Sequence, residues 1–143
     1  MLSNTSKYAL RAAIYLALKA TPDQKCGIKE ISGELDIPSP FLAKILQGLV
    51  KHDILVSAKG PHGGFCLKKS PLDISVMEIV EVIDGTGTFD RCVIGTSNCQ
   101  PDHPCSMHHK LAPLRKEMKH MLQTETLADL VSAFHRGANP LRL

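Results

Sequence analysis

No stretch of the 143-residue chain is apolar for long enough to cross a bilayer. The run from Tyr8 to Leu18 is broken by Arg11. No signal-peptide cleavage pattern follows it, so the expected location is the cytoplasm, with no membrane partner. Internal repeats and low-complexity segments are absent, which excludes solenoids and leaves disorder expected only at Arg136 to Leu143. Also missing are a phosphate-binding loop, a dinucleotide-binding glycine fingerprint and an H-E-x-x-H pair. Without these, an enzyme rests on the cysteines alone, as a metal-dependent redox or hydrolytic catalyst needing an open metal position and a substrate pocket. The expectation is therefore a non-enzyme with no small-molecule substrate.

What is present suits an ordinary globular protein. Apolar residues make up 43% and charged residues 22%, enough for one domain with a proper core and an appended element. The net charge of +3 divides unevenly. Residues 1–70 carry ten Lys/Arg against five Asp/Glu, whereas residues 71–143 carry seven against nine. A basic N-terminal half joined to a mildly acidic one is compatible with a polyanion-binding module.

Ser3, Asn4 and Thr5 can cap a helix that runs through Tyr8–Leu18, apolar almost all round and so suited to burial against more than one neighbour. Ile28, Ile31 and Leu35 follow at helical spacing, and Asp36-Ile37-Pro38 makes a turn. Ser39 can cap the next helix with Pro40 at its first position, and Phe41, Leu42, Ile45, Leu46 and Leu49 form its apolar stripe. Lys44, Gln47, Gly48 and Lys51 face away from that stripe. Two short helices joined by a tight turn, the second basic outside, form a helix-turn-helix pattern. Ile54-Leu55-Val56 and Phe65-Cys66-Leu67 read as strands joined by Ser57 to Gly64, a wing. Its Lys59, Gly60, Pro61, His62, Gly63 and Gly64 combine glycines that allow close approach to a groove with cations that meet phosphate.

Ser75-Val76-Met77-Glu78 is a capping-box pattern opening a helix that stops at Gly85. After a cysteine-rich stretch, Met107, Leu111, Leu114, Met118 and Met121 recur at steps of four and three, the spacing of an interhelical seam. Pro113 must sit in a first turn or kink that helix. Thr126-Leu127-Ala128-Asp129 caps a last short helix. The fold class expected is mainly α with a small β-wing: a winged helix-turn-helix domain at 1–84, a cysteine-rich cluster-binding loop at 85–109, and a long dimerisation helix with the C-terminal tail at 110–143.

Cys92, Cys99, Cys105 and His108 lie in that stretch, where Gly95, Pro101 and Pro104 resist regular structure. Six residues separate the first two cysteines and five the next two. These gaps are wider than the two-to-four-residue grip of most structural zinc sites, so a larger guest fits better. Thiolates are the usual ligands of iron-sulfur clusters, and histidine can replace one of them. Zinc ligation, a thiol-disulfide switch and reactive thiols without a cofactor are the competing readings. Helix beginning after Cys105 would put Cys105 and His108 on one helical face. Cys26 and Cys66 read as buried small hydrophobes; His52, His120 and His135 read as surface or packing residues.

The Lys7-Tyr8-Ala9-Leu10-Arg11-Ala12 helix, the Ser39-to-Leu49 helix, the wing Lys59-Gly60-Pro61-His62-Gly63-Gly64 and the three-cysteine stretch together resemble the Rrf-type winged-helix regulators, whose branches include an iron-sulfur cluster regulator and a nitric-oxide-sensing repressor. The resemblance implies a homodimeric repressor that binds double-stranded DNA at a two-fold-related operator and senses redox state, nitric oxide or iron-sulfur status. It implies that Cys92, Cys99 and Cys105 hold an iron-sulfur cluster, with 2Fe–2S favoured and 4Fe–4S as the alternative. In the cluster-regulator branch the fourth ligand falls at His108, with His103 and His109 nearby as rivals. In the nitric-oxide branch it can be an acidic residue near the start of the first helix, where this chain has Tyr8. The implied DNA contacts are Ser39, Pro40, Lys44 and Lys51 in the major groove and Lys59, Gly60, Pro61, His62 and Gly63 at the adjacent backbone or minor groove. Lys59 stands where the family often has an arginine, and lysine lacks the bidentate fork. Zinc or a thiol switch in the same winged-helix framework is the alternative reading.

Overall fold

Ser3 starts the first helix as the sequence predicts: its hydroxyl accepts from the Ser6 amide at 3.0 Å. The computed structural model describes residues 2–92, 102 and 104–135. The tail from Arg136 to Leu143 lies outside them. In chain order the elements are α1 (Asn4–Lys19), α2 (Ile28–Leu35), α3 (Ser39–Lys51), β1 (Leu55–Ala58), β2 (Gly64–Leu67), α4 (Val76–Asp84), α5 (His108–Thr124) and α6 (Leu127–His135). None of these helices is long and apolar enough to cross a membrane.

α1 is the central post. Ala9, Ala12, Ala13 and Leu16 are fully buried, and the three small side chains let α3, α4 and α6 approach closely from different sides. The main core joins this face to Ile31, Leu35, Leu42, Ile45, Leu46, Leu49, Ile54, Leu55, Ile79 and Leu127. Burying each leucine here is worth about 1.5–3 kcal/mol. A second cluster gathers Val76, Met77 and Val80 of α4 with Phe89 and Leu122. α4 is thus a shared wall, with Ile79 turned to the main core and Val76 and Val80 to α5. Its own start is fixed by the Ser75 hydroxyl, which accepts from the Glu78 amide at 3.1 Å. Glu78 does not complete the predicted box, because its carboxylate instead meets Lys69 at 2.6 Å. The reciprocal cap occurs at α6: the Thr126 hydroxyl accepts from the Asp129 amide at 3.2 Å, and the Asp129 carboxylate accepts from the Thr126 amide at 2.9 Å.

The wing is an antiparallel pair in the register Leu55↔Leu67, Val56↔Cys66, Ser57↔Phe65 and Ala58↔Gly64. The strands reach further toward the tip than the sequence predicts, so the connection shrinks to residues 59–63. A Gly63 amide to Gly60 carbonyl bond of 2.9 Å closes it. Cys26 joins the far edge of β2, exchanging two backbone bonds with Phe65 at 2.8 and 3.1 Å. The backbone at Gly64 therefore presses on this bridge. A Cβ at Gly64, where φ is +135°, would lie 2.5 Å from the Cys26 carbonyl oxygen.

Two glycine substitutions should separate strain from free space. Gly64→Ala should cost more than about 2 kcal/mol in urea unfolding, since both its positive φ and its backbone clash oppose a side chain. Gly33→Ala, in the exposed interior of α2 with nothing within 4 Å of the new Cβ, should stabilise by about 0.5–1 kcal/mol.

Candidate nucleic-acid interface and thiol site

The turn between α2 and α3 is locked from both sides. Asp36 adopts a left-handed conformation at φ 55°, the Ile37 amide reaches the Ser32 carbonyl at 3.2 Å, and the Ser32 hydroxyl donates to the Ile37 carbonyl at 2.6 Å. The Arg11 guanidinium donates to the Leu35 carbonyl at 2.9 Å, satisfying one of the carbonyls left over at the end of α2. Burial lowers the Arg11 pKa, while Tyr8 and Asp36 oppose that shift.

α3 begins at Ser39, one residue earlier than the predicted first helical position at Pro40. Pro38 is the N-cap, and its carbonyl accepts from the amides of Phe41 and Leu42 at 3.1 and 2.9 Å. Ser39 makes no capping bond because it is already helical, and Pro40 sits in the first turn, where no amide is needed. Leu42, Ile45, Leu46 and Leu49 are buried, while Pro40, Phe41, Lys44, Gln47 and Lys51 are exposed and Ser39 is half-buried. Phe41 rests edge-on against Tyr8, with ring centroids 5.7 Å apart, and the Arg11 guanidinium covers the Tyr8 ring at 5.7 Å. Sequence reasoning put Phe41 in the core stripe and missed this aromatic contact across 33 positions, for which a linear pattern carries no signal.

Lys59, Gly60, Pro61 and His62 are exposed at the wing tip, and Gly63 is half-buried. Gly60 has φ +99°, and a Cβ on Gly63 would fall 2.2 Å from the Ala58 carbonyl oxygen, so the tip needs both glycines. Lys68 bonds Asp53 at 2.6 Å, joining the base of the wing to the end of α3 and holding the Asp53 carboxyl below its ordinary pKa. His52 lies exposed at the C-cap of α3, its Nδ1 2.9 Å from the Gly48 carbonyl.

Cys92 and Cys105 are half-buried and outside any disulfide, at the two ends of the cysteine-rich segment. Cys99 and His103 lie outside the described residues. The spacing predicts Cys105 and His108 on one helical face, but Cys105 precedes α5 and is not helical. Its carbonyl accepts from the His108 amide at 2.9 Å, so the two are joined across the turn that opens the helix. The half-buried His108 ring packs edge-on against the exposed His109 at 5.5 Å. Among the described residues, no three histidine, cysteine or carboxylate side chains converge as a metal site. Phe89, 6% exposed, plugs the second core and anchors the chain just before Cys92. Sequence reasoning did not single it out. From there an open groove of about 1130 Å³ runs along α5, with Phe89 and Cys92 on one wall and Leu111, Leu114, Met118 and Met121 on the other. Arg115 donates to the Arg91 carbonyl at 2.5 Å and Lys119 reaches Asp90 at 3.5 Å, pinning the segment to the helix. Pro113 is inside α5 rather than in its first turn.

Cys26 and Cys66 are buried, as the sequence predicts, at 3% and 1% exposure. Burial first, then the Glu30 charge and a hydrogen bond to Glu30, push the Cys26 thiol up to about 11. Glu30 also accepts from the Tyr15 hydroxyl at 3.0 Å. This raises the Tyr15 pKa beyond what its burial alone does.

Residues 2–133 match the model of the Rrf2 family, described as an iron-dependent transcriptional regulator. The chain is 35% identical over 141 residues to a helix-turn-helix-type transcriptional regulator of Aquifex aeolicus (strain VF5), covering 97% of this chain and 96% of that protein. It is 29% identical over 131 residues to the transcriptional regulator IscR of Sodalis glossinidius (strain morsitans), covering 92% of this chain and 78% of the relative. Both relatives are named as transcriptional regulators, not enzymes. Its fold is similar to that of CymR (YrzC), the global cysteine regulator of B. subtilis, with a TM-score of 0.76 at 23% identity over 92% of this chain and 96% of that one.

The N-terminus of α1 is tied to the end of α4, eight residues before Cys92. The Ser3 amide donates to Asp84 at 3.0 Å, and the Ser3 hydroxyl donates to the other carboxylate oxygen. Burial disfavours the Asp84 charge, but the Ser3 bonds outweigh it and hold the carboxyl below its ordinary value. A depressed folded-state pKa stabilises above the unfolded value, and that contribution is lost as pH falls through the folded one. Asp84→Asn should therefore lower stability at pH 7 by about 1 kcal/mol, the strength of a charged hydrogen bond reduced by partial exposure. The gap from wild type, measured by chemical unfolding, should close on acidification below the ordinary carboxylate range.

Proposed function

Because the chain belongs to the Rrf2 family of transcriptional regulators, we propose that it is a homodimeric repressor that reads a two-fold-related operator and holds an iron-sulfur cluster on Cys92, Cys99, Cys105 and His108. The observation that carries the DNA-binding reading is the division of α3: four apolar side chains are buried, and Pro40, Lys44, Gln47 and Lys51 form a solvent-facing surface. That surface, led by Ser39 and Pro40, suits a major groove, and Lys59, Gly60, Pro61, His62 and Gly63 suit the flanking phosphates or minor groove. Residues 1–84 would form this DNA-binding unit and 110–143 the dimerising one, joined by the cysteine-rich residues 85–109.

The seam on α5 supports the dimer. Met107, Leu114 and Met121 are 39%, 58% and 50% exposed, one heptad apart, a row that a second copy would cover. The thiol site fits a cluster in its chemistry: two half-buried thiols free of disulfides end the segment, and an imidazole opens the next helix. A cluster bound there would supply one-electron redox chemistry and a centre reactive toward oxygen and nitric oxide. Cys92 and Cys105 then tether the two ends of the segment, while Phe89, Asp84 and Ser3 carry its position to α1. Through Tyr8 and Arg11, α1 touches both ends of the α2–α3 turn.

Anaerobic purification with visible absorption and iron and sulfide analysis tests the cluster. Brown protein that bleaches in Cys92→Ala, Cys99→Ala and Cys105→Ala is the expected result. Colourless protein without iron or sulfide after reconstitution would replace the cluster with zinc or a thiol switch. On DNA, Lys44→Ala and Lys59→Ala should each weaken binding across sequences and reduce the salt dependence by about one counterion. An unchanged slope would remove those lysines from the interface.

A further inference from the structure

We infer that Phe41 is a base-contacting residue that reads the 5-methyl group of a thymine in the major groove, with Tyr8 positioning its ring; this rests on the DNA-binding reading above. The large hydrophobic side chains exposed among the described residues are Phe41, Leu72, Met107, Leu114 and Met121. The last three belong to the α5 seam and Leu72 to a single turn beyond the wing. Phe41 alone lies on α3, where it is 38% exposed in the first turn while the adjacent Leu42 is fully buried.

The phenyl ring gives a face otherwise made of Pro40, Lys44, Gln47 and Lys51 an exposed apolar surface that an apolar group of a partner can cover. The first turn of a recognition helix reaches base edges, and the thymine methyl is the apolar group the major groove offers there. The ring is also held in place. Its edge-on contact with Tyr8 has an interplanar angle of 86°, Arg11 covers Tyr8, and Arg11 is anchored on the Leu35 carbonyl. The Phe41 amide is fixed as well, donating to the Pro38 carbonyl at 3.1 Å. A ring immobilised from beneath before DNA arrives loses little freedom on binding, which sharpens discrimination.

The test begins with duplexes selected from a random pool by the wild-type full chain, in which each thymine is replaced singly by deoxyuridine. At one or more positions, loss of the methyl should weaken wild-type binding about four-fold, the effect of unburying one methyl group. Phe41→Ala should bind with no such sensitivity, Phe41→Leu should retain it, and both should keep the wild-type salt slope, since the phosphate contacts are untouched. Tyr8→Leu should reduce the methyl sensitivity at unchanged salt slope, which a residue needed only for folding would not do. Deoxyuridine that leaves wild-type affinity unchanged everywhere, or methyl sensitivity that survives in Phe41→Ala, would overturn the inference while leaving DNA binding intact. Recovery of no duplex by the wild type would overturn the DNA-binding reading and this inference with it.

Discussion

α1 has no free face, and this constraint organises the molecule. Ala9, Ala12, Ala13 and Leu16 are fully enclosed, with Ile14 and Tyr15 nearly so, leaving only Lys7 and the helix ends well in solvent. Burial this complete gives a helix little room to shift alone, because a packed core yields to movement only by repacking. α3, the helix proposed to enter DNA, and α4, which leads to the cysteines, both lean on it. Their positions are therefore set against the same surface.

The contacts that matter cluster within the first two turns of α1. Ser3 holds the carboxylate at the end of α4, while Tyr8 and Arg11 touch the beginning of α3 and the end of α2. α4 faces both hydrophobic clusters, and Leu10 and Leu130 pack against both. A rearrangement at the segment beginning with Cys92 can consequently reach α3 through α4, both directly and by way of α1. This geometry gives the proposed sensor a short physical route to the proposed DNA face.

Much of the fold is legible in the sequence because it rests on local rules. The apolar stripe Leu42, Ile45, Leu46 and Leu49, the Ser75 and Thr126 caps and the stop at Gly85 follow from periodicity and capping chemistry, and all are found. Departures arise where neighbours in space compete with neighbours in sequence. Glu78 leaves its own cap for Lys69, Pro38 takes the capping position assigned to Ser39, and α5 starts only at His108, so Cys105 is not on its face. The Tyr8–Phe41 contact, the Ser3–Asp84 clamp and the Phe89 plug join residues that no helical or strand period links. For the thiol site, the residue types and spacing are legible, but bringing thiols together across a segment is a matter of three-dimensional placement, which periodicity cannot supply.

The central claim is that the chemical state of the cysteine segment reaches α3. It is tested most directly by titrating one labelled operator, without oxygen, with the iron-loaded protein and with the same preparation after chelator stripping. The account predicts affinities that differ by about tenfold or more, in either direction, and a difference that vanishes in Cys99→Ala. Equal affinity in the loaded and stripped forms of the wild-type protein would contradict it.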